Sequence, residues 1–298
     1  MAVVSAILPI FVLILLGWAL KRWAGAAEAF WRDLERLIYY VFFPALLFHA
    51  LSHSVIELAR AWPMLVTGIL FTLIGMGLGG LSKVFFRDPP RVFAAAFQGS
   101  FRFNSYVGLA VAGALHGPAG IAAIGLLMGF LIPLANVASV WVLARHGGGD
   151  WLKETLANPL ILATAGGVGF SLAGWSLPAL LDDILELLAR ASLPLGLIAV
   201  GAGLRLTSLA QARGHLWYGV TVKLVLLPAI AWGLGMGFGL TGLWFETAIL
   251  LAALPVSSVA YVLAVRMRAD GQVIAAQVAL TTLLSLLTLP LWLGLARA

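Results

Sequence analysis

The chain has 298 residues, of which 62% are apolar and only 10% charged. A soluble domain averages roughly 45–50% apolar and about 25% charged residues, so this sequence cannot cover a water-facing surface, and a soluble enzyme, a secreted disulfide scaffold and a disordered tail are excluded. Cysteine is absent and the net charge is +6, so there is no thiolate metal site, disulfide or cysteine nucleophile, and the basic residues, sitting in short loops, suit membrane lipid headgroups and topology rather than nucleic acid.

What remains is an all-α polytopic membrane protein. At about 20 residues per span the length allows about ten helices. The apolar runs predict transmembrane helices over 4–23, 34–54, 61–82, 92–114, 119–144, 159–176, 184–206, 216–239, 244–265 and 272–294. They are too long and too uniformly apolar for barrel strands, which alternate. The first run has no basic stretch before it, and Lys21 and Arg22 follow it. That is the pattern of a first helix with its N-terminus outside, not of a signal peptide. The odd-numbered loops carry 13 Lys and Arg against 3 in the even ones. The positive-inside rule therefore makes the odd loops cytoplasmic and puts both termini outside.

The most polar, glycine-rich break is Arg145-His-Gly-Gly-Gly-Asp-Trp-Leu-Lys153. It divides the chain into a first five-helix unit, 1–145, a cytoplasmic linker, 146–158, and a second unit, 159–298. The units are weakly self-similar. Pro9 and Pro159 are 150 residues apart, as are Pro44 and Pro194. Gly75-Met76-Gly77-x-Gly79 recurs as Gly235-Met236-Gly237-x-Gly239, and Tyr106 and Tyr261 fall at a similar offset. A unit with an odd number of spans must insert its copy upside down. Inverted repeats are the usual architecture of alternating-access transporters, with the substrate site where the repeats meet.

The polar chemistry is concentrated in two spans. Span 4 contains Gln98-Gly99-Ser100-Phe101-Arg102-Phe103-Asn104-Ser105-Tyr106-Val107-Gly108. An arginine deep in a bilayer costs about 2.5–3.5 kcal/mol even on the lenient insertion scale, and Arg102 lies too far from either end of the span to snorkel easily. On a continuous helix Arg102 and Asn104 would point about 200° apart. Both face one site only if the backbone unwinds, which Gly99 and Gly108 make cheap. The plainer alternative is a snorkelling arginine with Asn104 as interhelical glue. Span 9 carries Leu254-Pro255-Val256-Ser257-Ser258-Val259-Ala260-Tyr261. Pro255 removes a backbone donor and biases Leu254 away from the helix, so a second break, or a plain kink, is expected there. Two broken helices that cross present half-helix N-termini to one point, a ready anion site. Arg102 adds a full charge whose planar fork suits a carboxylate. The substrate-binding candidates are thus Arg102, Asn104, Ser105, Tyr106, Pro255, Val256, Ser257 and Ser258, with Tyr106 and Tyr261 lining or gating the site.

Gln98, Ser100, Asn136, Lys223 and Gln277 are candidates for coupling or helix support. Lys223 either snorkels, or neutralises carbonyls of a broken helix, or works in coupling. Asn136, Gln277, Thr281 and Thr282 read as interhelical glue or ion-coordinating oxygens. His49 and His53, spaced i and i+4, can bind zinc at that spacing. No third ligand is obvious, so an interfacial pair without metal is expected, and Asp182, Asp183 and Glu186 read as acidic residues at a helix N-terminus. All twelve carboxylates fall in loops or at span ends, which disfavours coupling through a buried carboxylate and leaves sodium on carbonyls and hydroxyls, or protons by another route, open. No cofactor or catalytic residue is expected, and no enzyme.

Several stretches together resemble the auxin efflux carrier family, within the bile, arsenite and riboflavin transporter superfamily. They are Ile7-Leu-Pro-Ile-Phe11 with Leu16-Gly17, Tyr39-Tyr40-Val41-Phe-Phe-Pro44-Ala45-Leu46-Leu47-Phe48, and Arg102-Phe-Asn104-Ser-Tyr106-Val-Gly108-Leu109. Ile132-Pro133-Leu134-Ala-Asn136-Val137, Asn158-Pro159-Leu160, Lys223-Leu-Val-Leu-Leu-Pro228 and Leu254-Pro255 complete the likeness. The resemblance implies ten helices in two inverted repeats, an X-shaped crossing of spans 4 and 9, a dimerising scaffold of spans 1, 2, 6 and 7, and a moving unit of spans 3–5 and 8–10. It implies carriage of auxin or of carboxylates such as malate and malonate, with Asn104 similar to the residue that meets a substrate carboxylate in plant members. The chain departs from those members in having Ala110-Val111 where a proline follows that Asn, and in lacking their long cytoplasmic loop. The expectation is a homodimeric bacterial inner-membrane carrier of small organic anions with an elevator-type motion. The alternatives are an anion channel or a carrier of a non-carboxylate solute.

Overall fold

In the computed structural model, which describes residues 2–25, 27–54, 58–144, 159–205 and 214–297, every regular element among the described residues is a helix. In chain order these are α1 Ala2–Trp23, α2 Glu28–Ser52, α3 Leu58–Phe85 and α4 Pro90–Gly99. The run Ser105–Ala144 bends at Gly117, where φ is 59°, and so makes α5 (105–116) and α6 (118–144). There follow α7 Pro159–Leu172, α8 Ala179–Gly203, α9 Gly214–Gly237, α10 Gly242–Ala253, α11 Val259–Arg266 and α12 Gly271–Ala296. The linker expected at 146–158 lies outside the described residues.

Seven helices among the described residues are long and apolar enough to cross a membrane, against ten expected. The difference has local causes. The segments 92–114 and 244–265 are each split into two short helices by a break. α7 stops after 14 residues. Gly117 and Pro118 turn the chain between α5 and α6 within one helical run. α2 also begins earlier than the expected residue 34, because Glu28–Leu37 is a polar helical turn that buries Trp31.

One apolar core runs through nearly every helix, with Phe43 and Ile124 fully buried and Phe71 1% exposed. α1 lies on α8, and α2 lies between α7 and α8. The first of these contacts depends on two glycines. A Cβ on Gly17 would strike the carbonyl oxygen of Ile198, and one on Gly201 the carbonyl oxygen of Ile14. Small residues let helix backbones approach in this way. Since backbone cannot move aside as a side chain can, Gly201→Ala is expected to cost about 1–3 kcal/mol through overpacking. Gly77→Ala, which meets nothing within 4 Å, is expected to leave thermal stability unchanged or raised. Melting curves of the detergent-solubilised variants test the contrast.

α2 and α9 each contain a π turn, Ile38–Phe42 and Val222–Leu226, with a proline, Pro44 or Pro228, two residues after its end. Proline has no N–H and its ring crowds the carbonyl four residues back, and the wider turn absorbs that crowding. Pro228 leaves the carbonyl of Leu224 without its helical donor. The indole Nε1 of Trp292 on α12 donates to that carbonyl at 2.9 Å. These π turns carry Tyr39 and Lys223, and π turns recur at functional positions. At the Gly117 corner, His116 and Arg297 both meet Glu246, at 2.9 and 2.6 Å, tying the end of α5 and the end of α12 to the first part of α10.

Candidate functional site

The first break separates α4 from α5. α4 closes with the Arg102 N–H donating to the Gln98 carbonyl at 3.0 Å, and residues 102–104 are non-helical. A helix start exposes N–H groups that need acceptors. Asn104 supplies one: its Oδ1 accepts from the N–H of Tyr106 at 3.1 Å and of Val107 at 3.3 Å. That is an N-cap, and it explains an asparagine at this position. Asn104→Ala is expected to cost about 1 kcal/mol by losing the cap. Asn104→Ser keeps a capping oxygen and is expected to melt close to the native chain.

The second break separates α10 from α11. Pro255 forces Leu254 into an extended conformation, with ψ at 146°. Neighbouring helices satisfy the freed groups. The Val256 N–H donates to Thr281 Oγ1 on α12 at 3.0 Å, and Ser257 Oγ accepts from the Val259 N–H at 3.3 Å. The breaks also bond to each other. The Asn104 N–H donates to the Pro255 carbonyl at 2.9 Å, and Gln98 Nε2 donates to the Ala260 carbonyl at 3.1 Å.

Between the breaks, α2, α6 and α7 lies a cavity of about 70 Å³. Its polar wall is Tyr39, Arg102, Ser105, Asn136 and Ser257, and its apolar wall includes Phe103, Ile132 and Leu160. The first residues of α5 and α11, Ser105 and Val259, stand in that wall. Two helix N-termini, with their partial positive charge, therefore border the cavity. Arg102 is 7% exposed. Its Nη1 donates to Ser139 Oγ at 3.2 Å, and no carboxylate pairs with it among the described residues. A guanidinium has five N–H donors. Burying it with one neutral acceptor leaves the charge uncompensated, a costly state unless an anion joins it.

The expected residues divide between this wall and its supports. Arg102, Ser105 and Ser257 line the cavity, and so does Asn136, expected to serve coupling or helix support. Asn104 is 1% exposed and outside the wall; with Oδ1 committed to the cap, its Nδ2 is buried without a partner among the described residues. Tyr106 stacks on Phe43 at 4.4 Å and Tyr261 lies under Arg205 at 4.4 Å, neither of them in the wall. Pro255, Val256 and Ser258 shape the second break rather than line the space. Ser100 is buried beside Gly79. Gln277 is fully buried against Gly99 and Gly219, with both its side-chain polar atoms unpartnered among the described residues. Thr281 and Thr282 bond to carbonyls of their own helix. Lys223 does not snorkel: it is 0% exposed, and its Nζ donates to the Ala252 carbonyl at 2.7 Å, at the end of α10.

Three residues went unmarked by sequence reasoning. Ser139 holds Arg102; its signal was the i, i+3 spacing from Asn136, which puts both on one face of α6. Tyr39 lines the cavity from the π turn of α2. Glu35, one turn earlier, is half-buried, and it and Ser258 both lie within about 4 Å of where a Cβ on Gly203 would stand. It therefore comes nearer the second break than a place near the start of α2 suggested. None of the described carboxylates is fully buried.

The sequence matches the family described as Membrane transport protein over residues 2–143 and 147–293. It is 26% identical, over 99% of this chain and 96% of the relative, to a Rhizobium meliloti protein named "Putative malonate transporter". It is 25% identical to an uncharacterized transporter of Methanothermobacter thermautotrophicus, over 97% of this chain and 96% of the relative. It is 24% identical to the uncharacterized transporter YfdV of Escherichia coli, over 99% and 98%. With two helix breaks bonded to each other beside a buried arginine and a family match over nearly its whole length, the chain belongs to the auxin efflux carrier family of membrane transport proteins.

Proposed function

We propose that the chain carries small organic anions, carboxylates of the malonate and malate class or auxin-like acids, across a bacterial inner membrane, by secondary-active or facilitated transport. One observation carries this reading: Arg102, buried in a cavity wall with a single neutral hydrogen-bond partner among the described residues, between two helix N-termini. A carboxylate would supply the missing counter-charge and accept the guanidinium's free donors in a bidentate pair. Ser105, Ser257 and Asn136 would complete its hydrogen bonds. The name of the Rhizobium relative agrees with this class.

The carrier architecture belongs to the same proposal. α4 with α5, and α10 with α11, are each taken as one broken span, the fourth and ninth of ten. α1 to α6 and α7 to α12 then form two inverted five-span repeats, with both termini outside. α1, α2, α7 and α8 form a dimerising scaffold, past which the remaining helices move with the bound anion. The close α1–α8 packing through Gly17 and Gly201 suits a rigid scaffold.

The test is counterflow in proteoliposomes loaded with unlabelled mono- or dicarboxylates, following labelled uptake by the native chain and by Arg102→Ala. Saturable counterflow that the variant loses is the expected result. Counterflow unchanged in Arg102→Ala would remove Arg102 from the site. Anion flux that does not saturate and shows no counterflow would make the protein a channel. No flux of any anion through folded protein would overturn the organic-anion reading.

A further inference from the structure

Away from the cavity, three side chains meet where α2 ends and α8 begins. His49 and His53 stand one turn apart, their rings 4.5 Å between centroids. Asp182 comes from the first turn of α8. Its Oδ1 lies 3.3 Å from Nε2 of His49 and 3.3 Å from Nε2 of His53. Asp182 is thus a third side chain with a ligand atom beside the two histidines, which the sequence did not reveal. Where the sequence suggested an interfacial pair and a separate acidic helix start, the structure sets the three side chains together.

The geometry is that of a metal site. Zn²⁺ with ligand bonds of about 2.0–2.1 Å in a tetrahedron sets its ligand atoms about 3.3–3.4 Å apart. The two carboxylate–imidazole distances match that spacing. Hydrogen bonding does not account for them, since Asp182 Oδ1 is buried without a hydrogen-bond partner among the described residues. The tautomer of His53 leads the same way. Its Nδ1 lies 2.9 Å from the His49 carbonyl oxygen. A carbonyl only accepts, so Nδ1 carries a proton, and Nε2 is the ring nitrogen that faces Asp182. A cation between Nε2 and the carboxylate, a proton or a metal ion, would hold that pair together. A ligating histidine characteristically donates its other N–H to a backbone carbonyl.

We propose that His49, His53 and Asp182 hold one divalent transition metal of the Zn²⁺ class, its fourth position open to water, and that the ion staples α2 to α8. Two imidazoles and a carboxylate suit Zn²⁺, Co²⁺ or Ni²⁺ over the oxygen-seeking Ca²⁺ and Mg²⁺. The side chains are 24%, 47% and 34% exposed, so an ion can enter without unfolding.

The experiment uses the full, untagged chain in detergent, stripped with chelator and titrated with Co²⁺. The expected result is one Co²⁺ per chain with the intense visible bands of a tetrahedral site, displaced by equimolar Zn²⁺, and a melting temperature that Zn²⁺ raises. His53→Gln and Asp182→Asn are each expected to weaken binding by at least about tenfold while melting like the native chain in chelator. X-ray absorption of the Zn²⁺-loaded native chain, which needs no variant, is expected to show two imidazoles and oxygen scatterers. No visible bands and no Zn²⁺-dependent melting in the native chain would reduce the cluster to a His–Asp ion pair and overturn the proposal. Equal binding in folded variants, or a spectrum without two imidazoles, would place the metal elsewhere and overturn it too.

Discussion

Arg102→Met is expected to abolish saturable anion counterflow and to leave the protein at least as stable as the native chain. The two effects have one cause. Arg102 is a buried charge with Ser139 Oγ as its hydrogen-bond partner and no carboxylate beside it among the described residues. Replacing a buried charged group by an apolar one of similar volume is commonly neutral or stabilising by about 1–4 kcal/mol. An arginine kept at such a cost in the absence of substrate is what an anion-binding role would require. Arg102→Lys keeps the charge but not the planar fork. Losing one or two charge-assisted hydrogen bonds, at about 1.5–3 kcal/mol each, should weaken substrate affinity by about tenfold to a hundredfold, with some counterflow surviving at high substrate. Counterflow is to be measured across a concentration series beside melting curves of the same preparations. A large fall in melting temperature for Arg102→Met would make Arg102 a structural residue and sink the paired expectation.

The parts of this site legible in the sequence are those set by local chemistry. Pro255 cannot donate and constrains Leu254 whatever surrounds it, so the second break could be located from one residue. A charge as deep in an apolar run as Arg102 has few structural uses, so it too stood out. The parts that could not be read depend on which helices meet. Asn104 reads from the sequence as a ligand or as interhelical glue, and only the positions of the Tyr106 and Val107 N–H groups show that its oxygen caps α5. Ser139 is an ordinary serine until α6 is seen beside the first break. Asp182 lies far along the chain from His49 and His53, and no periodicity links them. Hydropathy integrates over a window, so it marks apolar runs and not helix ends, and α7 stops at Leu172 inside a run expected to reach residue 176.

Lys223→Ala is expected to be among the most destabilising single changes in the chain, and Lys223→Met much milder. Lys223 is fully buried in the π turn of α9, and its Nζ donates to the carbonyl of Ala252 at 2.7 Å. That carbonyl belongs to the last turn of α10, the negative end of a helix that stops short of Pro255. The alanine variant leaves a cavity in place of a long stem, at about 2–5 kcal/mol, and a buried carbonyl without its donor, at about 1–3 kcal/mol. The methionine variant fills the space and removes the desolvated charge, leaving the lost donor as its main cost. The two buried cations thus differ in their surroundings. The charge of Lys223 is matched by a helix C-terminus, whereas Arg102 stands beside two helix N-termini and is unmatched. On this ground Arg102, and not Lys223, is assigned to the anion. Melting curves of both lysine variants, with counterflow of Lys223→Met, check the distinction. Lys223→Met is expected to melt below the native chain by less than Lys223→Ala does and to keep the native substrate affinity. Counterflow lost in Lys223→Met at unchanged melting temperature would instead give the lysine a part in the transport step, with the capping of α10 secondary.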